Sequence, residues 1–291
     1  MTFIWGGTFL FTKIGLQLTS PALYVILRYT IALIICLIVF GKNLKGMSRH
    51  VILSGFVLGM FFSGGFLLQT IGLKFTTISK SAFITGVSVV LTPITYWIVE
   101  RRKIGLWQIT GVVIVFIGLW IFTNPDFKNI NLGDALTLFS TILWALYITY
   151  MNVFTKGRTS FVETSQIVMM QFITALPVAV IYFLLFESAH TYLIINYNLL
   201  ISLAFNGIIA SFFLTVIHTS VQRYTTPVKA ALIFSLEPII ASLLAFFFMK
   251  EIMTSIEMIG GTMLIIGILL SETGDYFLGR MLKKSFDSDA V

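Results

Sequence analysis

The stretch FSLEPII, residues 234–240, places a glutamate beside a proline within about twenty apolar-dominated residues. A run of this length is long enough to cross a bilayer as a helix. A charged side chain at the centre of such a helix is costly, about 2.5–3.5 kcal/mol on insertion scales. Glu237 therefore raises the question of what an ionisable group does there, and the rest of the chain bears on the answer.

The composition of the whole chain is typical of a membrane protein. Of the 291 residues, 57% are hydrophobic and only 11% are charged, whereas about a quarter of the residues in soluble domains are charged. The net charge of +7 does not indicate a nucleic-acid partner, because the basic residues lie in short loops between apolar runs. The single cysteine, Cys36, excludes an intrachain disulfide and a cysteine-based zinc site.

Ten apolar runs predict the fold class, an all-α membrane protein with ten transmembrane helices. The runs cover residues 2–18, 21–40, 51–72, 77–99, 104–122, 132–152, 161–186, 196–218, 227–249 and 254–271. Helix-start signals separate several of them, as where Thr226 precedes Pro227. No basic segment precedes the first run, so we expect no cleavable signal peptide. The segments between the runs are too short for a soluble domain.

The distribution of lysine and arginine predicts the orientation. With the N-terminus inside, thirteen of the 19 basic residues lie in cytoplasmic segments and four lie on the opposite side. The remaining two, Lys13 and Arg28, lie in or near spans. The excess predicts that both termini are cytoplasmic in a multi-pass protein of the cytoplasmic (inner or plasma) membrane. Residues 273–291 then form a cytoplasmic tail.

The two halves of the chain repeat each other. At an offset of 149 residues, spans three to five align without gaps with spans eight to ten. The ordered markers are Thr76-Thr77 on Thr225-Thr226, Lys80 on Lys229, Ala82 on Ala231, Gly111 on Gly260, Gly118 on Gly267, and the charged turn Arg101-Arg102 on Lys250-Glu251. An offset of 139 residues sets Trp5 over Trp144.

An odd number of spans in each half makes the repeat inverted. Residues 1–124 form an N-terminal and residues 132–272 a C-terminal five-helix repeat, so the second half enters the membrane upside down. Inverted repeats are typical of secondary transporters, in which the substrate site lies near the midplane between the halves.

In these features the chain resembles the drug/metabolite transporter superfamily, and in particular its ten-helix EamA-type exporters of amino acids and other metabolites. The stretches that carry the resemblance are WGGTFLFTKIGL (5–16), PALYVILRYTIAL (21–33), SAFITGVSVVLTPI (81–94) and SLEPIIASLLAFFFMKEIM (235–253). The resemblance implies a ten-helix inverted-repeat fold. It also implies export or exchange of small metabolites, such as amino acids, without ATP hydrolysis by the chain itself. Family members usually carry more residues before the first Trp-Gly than the four that precede Trp5 here.

Glu237 is the one acid well inside a predicted span, and its partner at offset 149 is Ser88. Pro238 aligns with Val89, and the first half places Pro93 one helical turn later. Proline frees a backbone carbonyl one turn back, which suits a kink or a gate. In the functional interpretation, Glu237 binds a proton or a substrate ammonium group in a central cavity. In the alternative, it is a structural acceptor that ties span nine to a neighbouring helix. Our hypothesis is a gating or coupling role.

Further polar and aromatic residues inside the spans are candidates to line the cavity. They are Lys13, Trp5, Trp144, Tyr147, Gln69, His218, Gln171 and Asn206. Lys13 can pair with a substrate carboxylate or with Glu237, and both Lys13 and Arg28 can instead extend to the membrane interface. The aromatic residues can hold a substrate or simply pack. Glycines seven residues apart predict close helix packing at Gly111, Gly118, Gly260 and Gly267.

The sequence thus predicts a secondary transporter that moves a small organic metabolite, in the outward direction, by alternating access. An uncoupled facilitator or channel is the alternative, and an intramembrane enzyme is a remote one, because the chain has no HExxH or GxSxG motif. The expected partners are a small-molecule substrate, membrane lipid and protons, in a monomer or homodimer. No cofactor, metal or nucleic acid is expected.

Overall fold

The computed structural model describes residues 1–123, 130–158, 160–240, 243 and 254–288. This part of the chain is 86% helical and contains no β-strand. Its α-helices, numbered in chain order, are α1 (Thr2–Gly15), α2 (Pro21–Phe40), α3 (Arg49–Phe75), α4 (Ile78–Gly86), α5 (Ser88–Glu100), α6 (Leu106–Thr123), α7 (Leu132–Thr155), α8 (Phe161–Tyr182), α9 (Tyr197–Ala204), α10 (Leu214–Val221), α11 (Pro227–Phe234) and α12 (Ser255–Ser288). A π-helical segment, Phe205–Phe213, joins α9 to α10.

Each predicted apolar run contains helical residues. Six helical stretches of the described part are long and apolar enough to cross a membrane, and two shorter ones, Leu106–Phe122 and Ser255–Ser271, are also apolar. The second half of the predicted ninth run, Lys128 and the charged turn Lys250-Glu251 lie outside the described residues.

The outer surface of the helices exposes large apolar side chains such as Ile38, Phe56 and Leu185. Polar side chains, in contrast, are buried between the helices, as Gln171, Asn206 and Arg28 are. This apolar exterior and partly polar interior is what a bilayer demands of a helical protein. The fold is therefore that of an integral membrane protein.

Two of the helical stretches are broken at matched positions. Val87 separates α4 from α5, and a two-residue turn at 235–236 separates α11 from helical residues 237–240. At offset 149, Val87 aligns with Leu236, so both breaks fall at the same place in the repeat. The second break ends two residues before Pro238, whereas α5 continues through Pro93.

The same sequence signal starts both broken helices. Thr77 accepts a hydrogen bond from the backbone N–H of Lys80 at the start of α4, and Thr226 accepts one from Lys229 at the start of α11. These hydroxyl caps satisfy N–H groups that the first turn of a helix leaves open. The aligned threonines therefore begin equivalent helices in the two halves.

Helix α3 packs against α7 and α8 at the centre of the bundle, and α6 packs against α12 at one edge. The predicted packing glycines lie at this second contact, where Gly111 faces Gly267 and Gly118 faces Gly260. A Cβ atom added to Gly111 would lie 2.6 Å from the carbonyl oxygen of Gly267. The two backbones therefore approach each other as closely as only glycine allows.

A charged cluster joins the two halves at the start of α7. Asp134 is 5% exposed. Its carboxylate accepts hydrogen bonds from Thr76 Oγ1 at 2.7 Å and from the backbone N–H of Asn131 at 3.0 Å. Lys80 Nζ lies 2.6 Å from the same carboxylate. Because Thr76 and Lys80 flank the start of α4, Asp134 holds this end of the first half against α7.

We expect the substitution Asp134→Asn to lower the stability of the protein by about 1–3 kcal/mol, since it removes the negative charge of the Lys80–Asp134 ion pair and weakens the hydrogen bonds to Asp134. Thermal unfolding of the purified protein in detergent would measure the loss. Glu163→Gln is the matched control, because the Arg158–Glu163 pair is about one third exposed and such pairs contribute at most about 1 kcal/mol. Equal effects of the two substitutions would contradict a structural role for Asp134.

Candidate functional site

A cavity of about 570 Å³ lies between helices of the two halves. Helices α1, α3, α4 and α5 contribute side chains from the first half, and α7, α10, α11 and the helical residues 237–240 contribute from the second. The lining residues are Trp5, Thr8, Phe9, Phe66, Gln69, Thr85, Gly86, Ser88, Trp144, Tyr147, Ile148, His218, Phe234 and Glu237.

Most of the lining residues form pairs that the sequence repeat relates. At offset 139 the pairs are Trp5 with Trp144, Thr8 with Tyr147, and Phe9 with Ile148; at offset 149 they are Gln69 with His218, Thr85 with Phe234, and Ser88 with Glu237. Only Phe66 and Gly86 have repeat partners outside the lining. The cavity is therefore built from equivalent positions of the two halves, but with different side chains.

Aromatic rings form much of the wall. The rings of Trp5, Phe234 and His218 contact one another, with centroids 4.6 Å apart for Trp5 and Phe234 and 5.2 Å from each to His218. Tyr147 lies 5.8 Å from His218, and Trp144 lies 5.6 Å from Tyr147. Edge-to-face contacts of this kind hold the rings in place at the wall.

Glu237 is the only carboxylic acid that lines the cavity in the described part of the chain. It is the first helical residue after the break at 235–236, and it is partly exposed to the cavity. No group of the described residues donates a hydrogen bond to its carboxylate. The break thus places a carboxylate without a protein partner at the wall, where a ligand cation or a proton can reach it.

Two hydrogen-bonding atoms of the wall also lack partners in the described part. The indole nitrogen of Trp144 and Nδ1 of His218 are buried without a hydrogen bond. The other ring nitrogen of His218, Nε2, lies 3.0 Å from Gln222 Oε1. Buried polar atoms are nearly always paired. These two atoms are therefore exceptions within the wall, and a partner could reach them only if the surrounding side chains moved.

Three of the predicted cavity residues lie elsewhere. Lys13 donates hydrogen bonds to the carbonyl oxygens of Leu73 and Thr76, at 2.6 and 2.8 Å, and so caps the end of α3. Gln171 accepts a hydrogen bond from the hydroxyl of Tyr147 at 2.9 Å, behind the wall. Asn206 is fully buried and donates to Tyr24 and Thr12.

The other predicted residues meet in the one cavity: Trp5, Trp144, Tyr147, Gln69, His218, Ser88 and Glu237. The sequence analysis missed the small polar residues Thr8 and Thr85 and the aromatic Phe66. The repeat offsets were the signal that could have found two of them, since Thr8 aligns with Tyr147 and Thr85 with Phe234.

A cavity between two helix sets that repeat each other is typical of membrane transporters, and the comparisons with known proteins agree. The model of the EamA-like transporter family matches residues 1–124 and again residues 131–273. The chain belongs to this family. It is a transporter-family protein rather than an enzyme.

Relatives with similar sequences carry the same general description. An uncharacterized transporter of Archaeoglobus fulgidus is 29% identical over 271 residues, which cover 92% of this chain and 82% of the relative. The uncharacterized transporter YoaV of Bacillus subtilis is 22% identical over 281 residues, covering 93% and 94%. A solved crystal structure shares the fold, with a TM-score of 0.76 at 13% identity over 97% of this chain and 95% of the other.

Proposed function

We propose that the protein is a secondary transporter that binds a small organic metabolite in this cavity and moves it by alternating access. The observation that carries the proposal is the symmetric lining, in which six repeat-related pairs surround one space. Two halves that can rock against each other about a fixed site would open that site to either side in turn.

The fold in this proposal is a ten-helix bundle of two inverted five-helix repeats, residues 1–124 and 132–272. The two separate family matches and the matched breaks at Val87 and Leu236 support this arrangement. The excess of basic residues on one side supports cytoplasmic termini in the cytoplasmic membrane, and the family resemblance supports the outward direction.

The wall chemistry supports an amino acid or a related compound as the substrate. Glu237 offers a carboxylate to an ammonium group. The rings of Trp5, Trp144 and Tyr147 offer apolar and cation-binding faces. If Glu237 alternates between a proton and a substrate ammonium group, transport is coupled to the proton gradient.

Uptake by proteoliposomes tests this proposal. We expect one or more members of a panel of amino acids and nucleobases to be taken up, and we expect an imposed pH gradient to change the initial rate severalfold. Empty liposomes are the control. Uptake of the nucleobases alone would reject the amino-acid assignment, and uptake that ignores the gradient would favour an uncoupled facilitator. Uptake of none of the compounds would reject the proposed substrate classes.

A further inference from the structure

A small annex extends from the cavity beside Arg28. The annex shares four lining residues with the cavity, namely Thr8, Phe9, Phe66 and Gln69. The residues that line the annex alone are Thr12, Arg28, Thr70 and Leu73. On α1 and on α3, the annex thus lies one helical turn farther toward the C-terminal end than the cavity.

Arg28 is 1% exposed, and only part of its guanidinium group is hydrogen-bonded. Its Nε donates a hydrogen bond to Ser211 Oγ at 2.5 Å, and its guanidinium carbon lies 3.9 Å from the centre of the Phe66 ring. Ser211 belongs to the π-helical segment Phe205–Phe213. These two contacts fix the plane of the guanidinium group. Nη2 has no hydrogen-bond partner in the described part of the chain.

No carboxylate of the described residues forms an ion pair with Arg28. The ionisable groups that it faces are the buried phenols of Tyr24 and Tyr29. A guanidinium group remains charged in proteins, and an unpaired buried charge costs several kcal/mol. An anion that entered the annex would compensate the charge of Arg28.

The hydroxyl of Thr12, which lines the annex, is engaged within the protein. It accepts a hydrogen bond from Asn206 Nδ2 at 3.0 Å and shares a further side-chain hydrogen bond with Tyr24. Asn206, which the sequence placed in the cavity, therefore lies behind the wall and holds Thr12 in position. Among the side chains that line the annex, the one with an unpaired buried donor in the described part of the chain is Arg28.

The matched position of the second half carries a larger side chain. Thr8, which lines the annex, aligns with Tyr147, whose side chain is buried and reaches Gln171 on the next helix. Arg28 likewise lies on the helix that follows that of Thr8. The first half therefore has a small side chain beside Arg28 where the second half has a phenol ring.

We propose that Arg28 forms an anionic subsite that binds the carboxylate group of the transported solute. This inference rests on the proposed function and adds to it the substrate class, a compound with one carboxylate. The planar fork of arginine matches a carboxylate. Lys13 bonds to the carbonyl oxygens of Leu73 and Thr76. The annex shares four lining residues with the cavity, so a solute bound in the cavity would lie next to Arg28.

The test compares two carboxylates, at pH 7, with the corresponding amides, in which a neutral amide group replaces the carboxylate. The purified full-length protein in detergent would be titrated with phenylalanine and phenylalaninamide, and separately with acetate and acetamide, and its thermal unfolding temperature followed. We expect wild type to bind each carboxylate about tenfold or more tightly than its amide, as for a charged hydrogen bond. In Arg28→Gln we expect this ratio to fall to about one, while amide affinity stays within about threefold.

Arg28→Lys keeps the positive charge but lacks the planar guanidinium group, so we expect its ratio of carboxylate to amide affinity to lie between those of wild type and Arg28→Gln. If Arg28→Gln does not fold, Arg28→Lys is compared with wild type instead. A merely structural Arg28 would lower both affinities together and leave the ratio unchanged. Acetate that stabilises wild type but not Arg28→Gln supports the subsite even if no amino acid is transported. Wild type that prefers neither carboxylate, or that responds to inorganic phosphate alone, would overturn it.

Discussion

Replacing Glu237 with glutamine is expected to lower the rate of substrate uptake by about tenfold to a hundredfold and to abolish its response to a pH gradient. The amide keeps the shape of the side chain but can neither take up a proton nor neutralise an ammonium group. Removing a charged partner from a buried contact costs about 1.5–3 kcal/mol, which corresponds to this range of rates. Initial rates of uptake by proteoliposomes, with and without an imposed gradient, measure both effects.

The matched control is Glu163→Gln, the same chemical change at an exposed pair on α8. We expect it to leave both rate and gradient response unchanged. A Glu237→Gln protein that kept full pH-dependent uptake would exclude proton coupling through this group. One that lost uptake and also unfolded in detergent would instead support the structural interpretation, in which Glu237 holds the ninth predicted span in place.

The helical class and the positions of the apolar helices were predictable from the sequence, because a bilayer imposes a minimum length and an apolar exterior on each spanning helix. The family was predictable as well. Its motifs in spans one, two, four and nine are short, but they occur in a fixed order in both halves. The match of the EamA-like family to residues 1–124 and 131–273 confirms that resemblance.

The site was partly predictable, because polar residues inside a span tend to face an interior cavity. This reasoning found Gln69, His218 and Glu237. It could not separate them from Lys13 or Asn206, since a buried polar residue serves equally well as a helix cap or a hydrogen-bond bridge. Whether a buried polar side chain lines the cavity or bonds within the protein depends on which carbonyl or hydroxyl group of a neighbouring helix lies next to it. The packing of the helices determines these contacts.

The annex beside Arg28 shows a second limit. The sequence gives an arginine seven residues into the second span, a position from which a long side chain can extend to the membrane interface. In the structure Arg28 points inward, because Ser211 on the π-helical segment and the face of Phe66 receive it. Neither contact follows from hydropathy or from spacing along the chain.

The lining is symmetric in position but not in chemistry. Equivalent positions of the two halves surround the cavity, so in the proposed alternating access either half would form a wall while the other moved. The side chains at those positions differ, as Ser88 and Glu237 do, and Thr8 and Tyr147 do. A solute bound as proposed would meet the carboxylate of Glu237 and the guanidinium group of Arg28, and these two opposite charges would orient a zwitterion.

Replacing Gly260 with valine is expected to remove most of the folded protein. A Cβ atom at this position would overlap the backbone nitrogen of Phe122, and it would lie 2.5 Å from Cα of Phe122 and 2.7 Å from the carbonyl oxygen of Gly118. Backbone atoms cannot rotate away as a side chain does, so α6 and α12 must separate. Overpacking one well-packed contact costs about 1–3 kcal/mol, and here the displacement extends to the Gly111–Gly267 contact on the same helices.

Gly41→Ala is the matched control, because no atom lies within 4 Å of the added Cβ and Gly41 has helical dihedral angles of −55° and −29°. We expect its stability to remain within about 0.5 kcal/mol of wild type. Size-exclusion chromatography and thermal unfolding in detergent would measure folded yield and stability for both variants.

If Gly260→Val unfolded at the wild-type temperature, the close approach of α6 and α12 would not be needed for the fold. A large loss confined to Gly260→Val would show that this helix pair holds the edge of the bundle together through backbone contact, as small residues do in lipid, where the hydrophobic effect does not drive helices together.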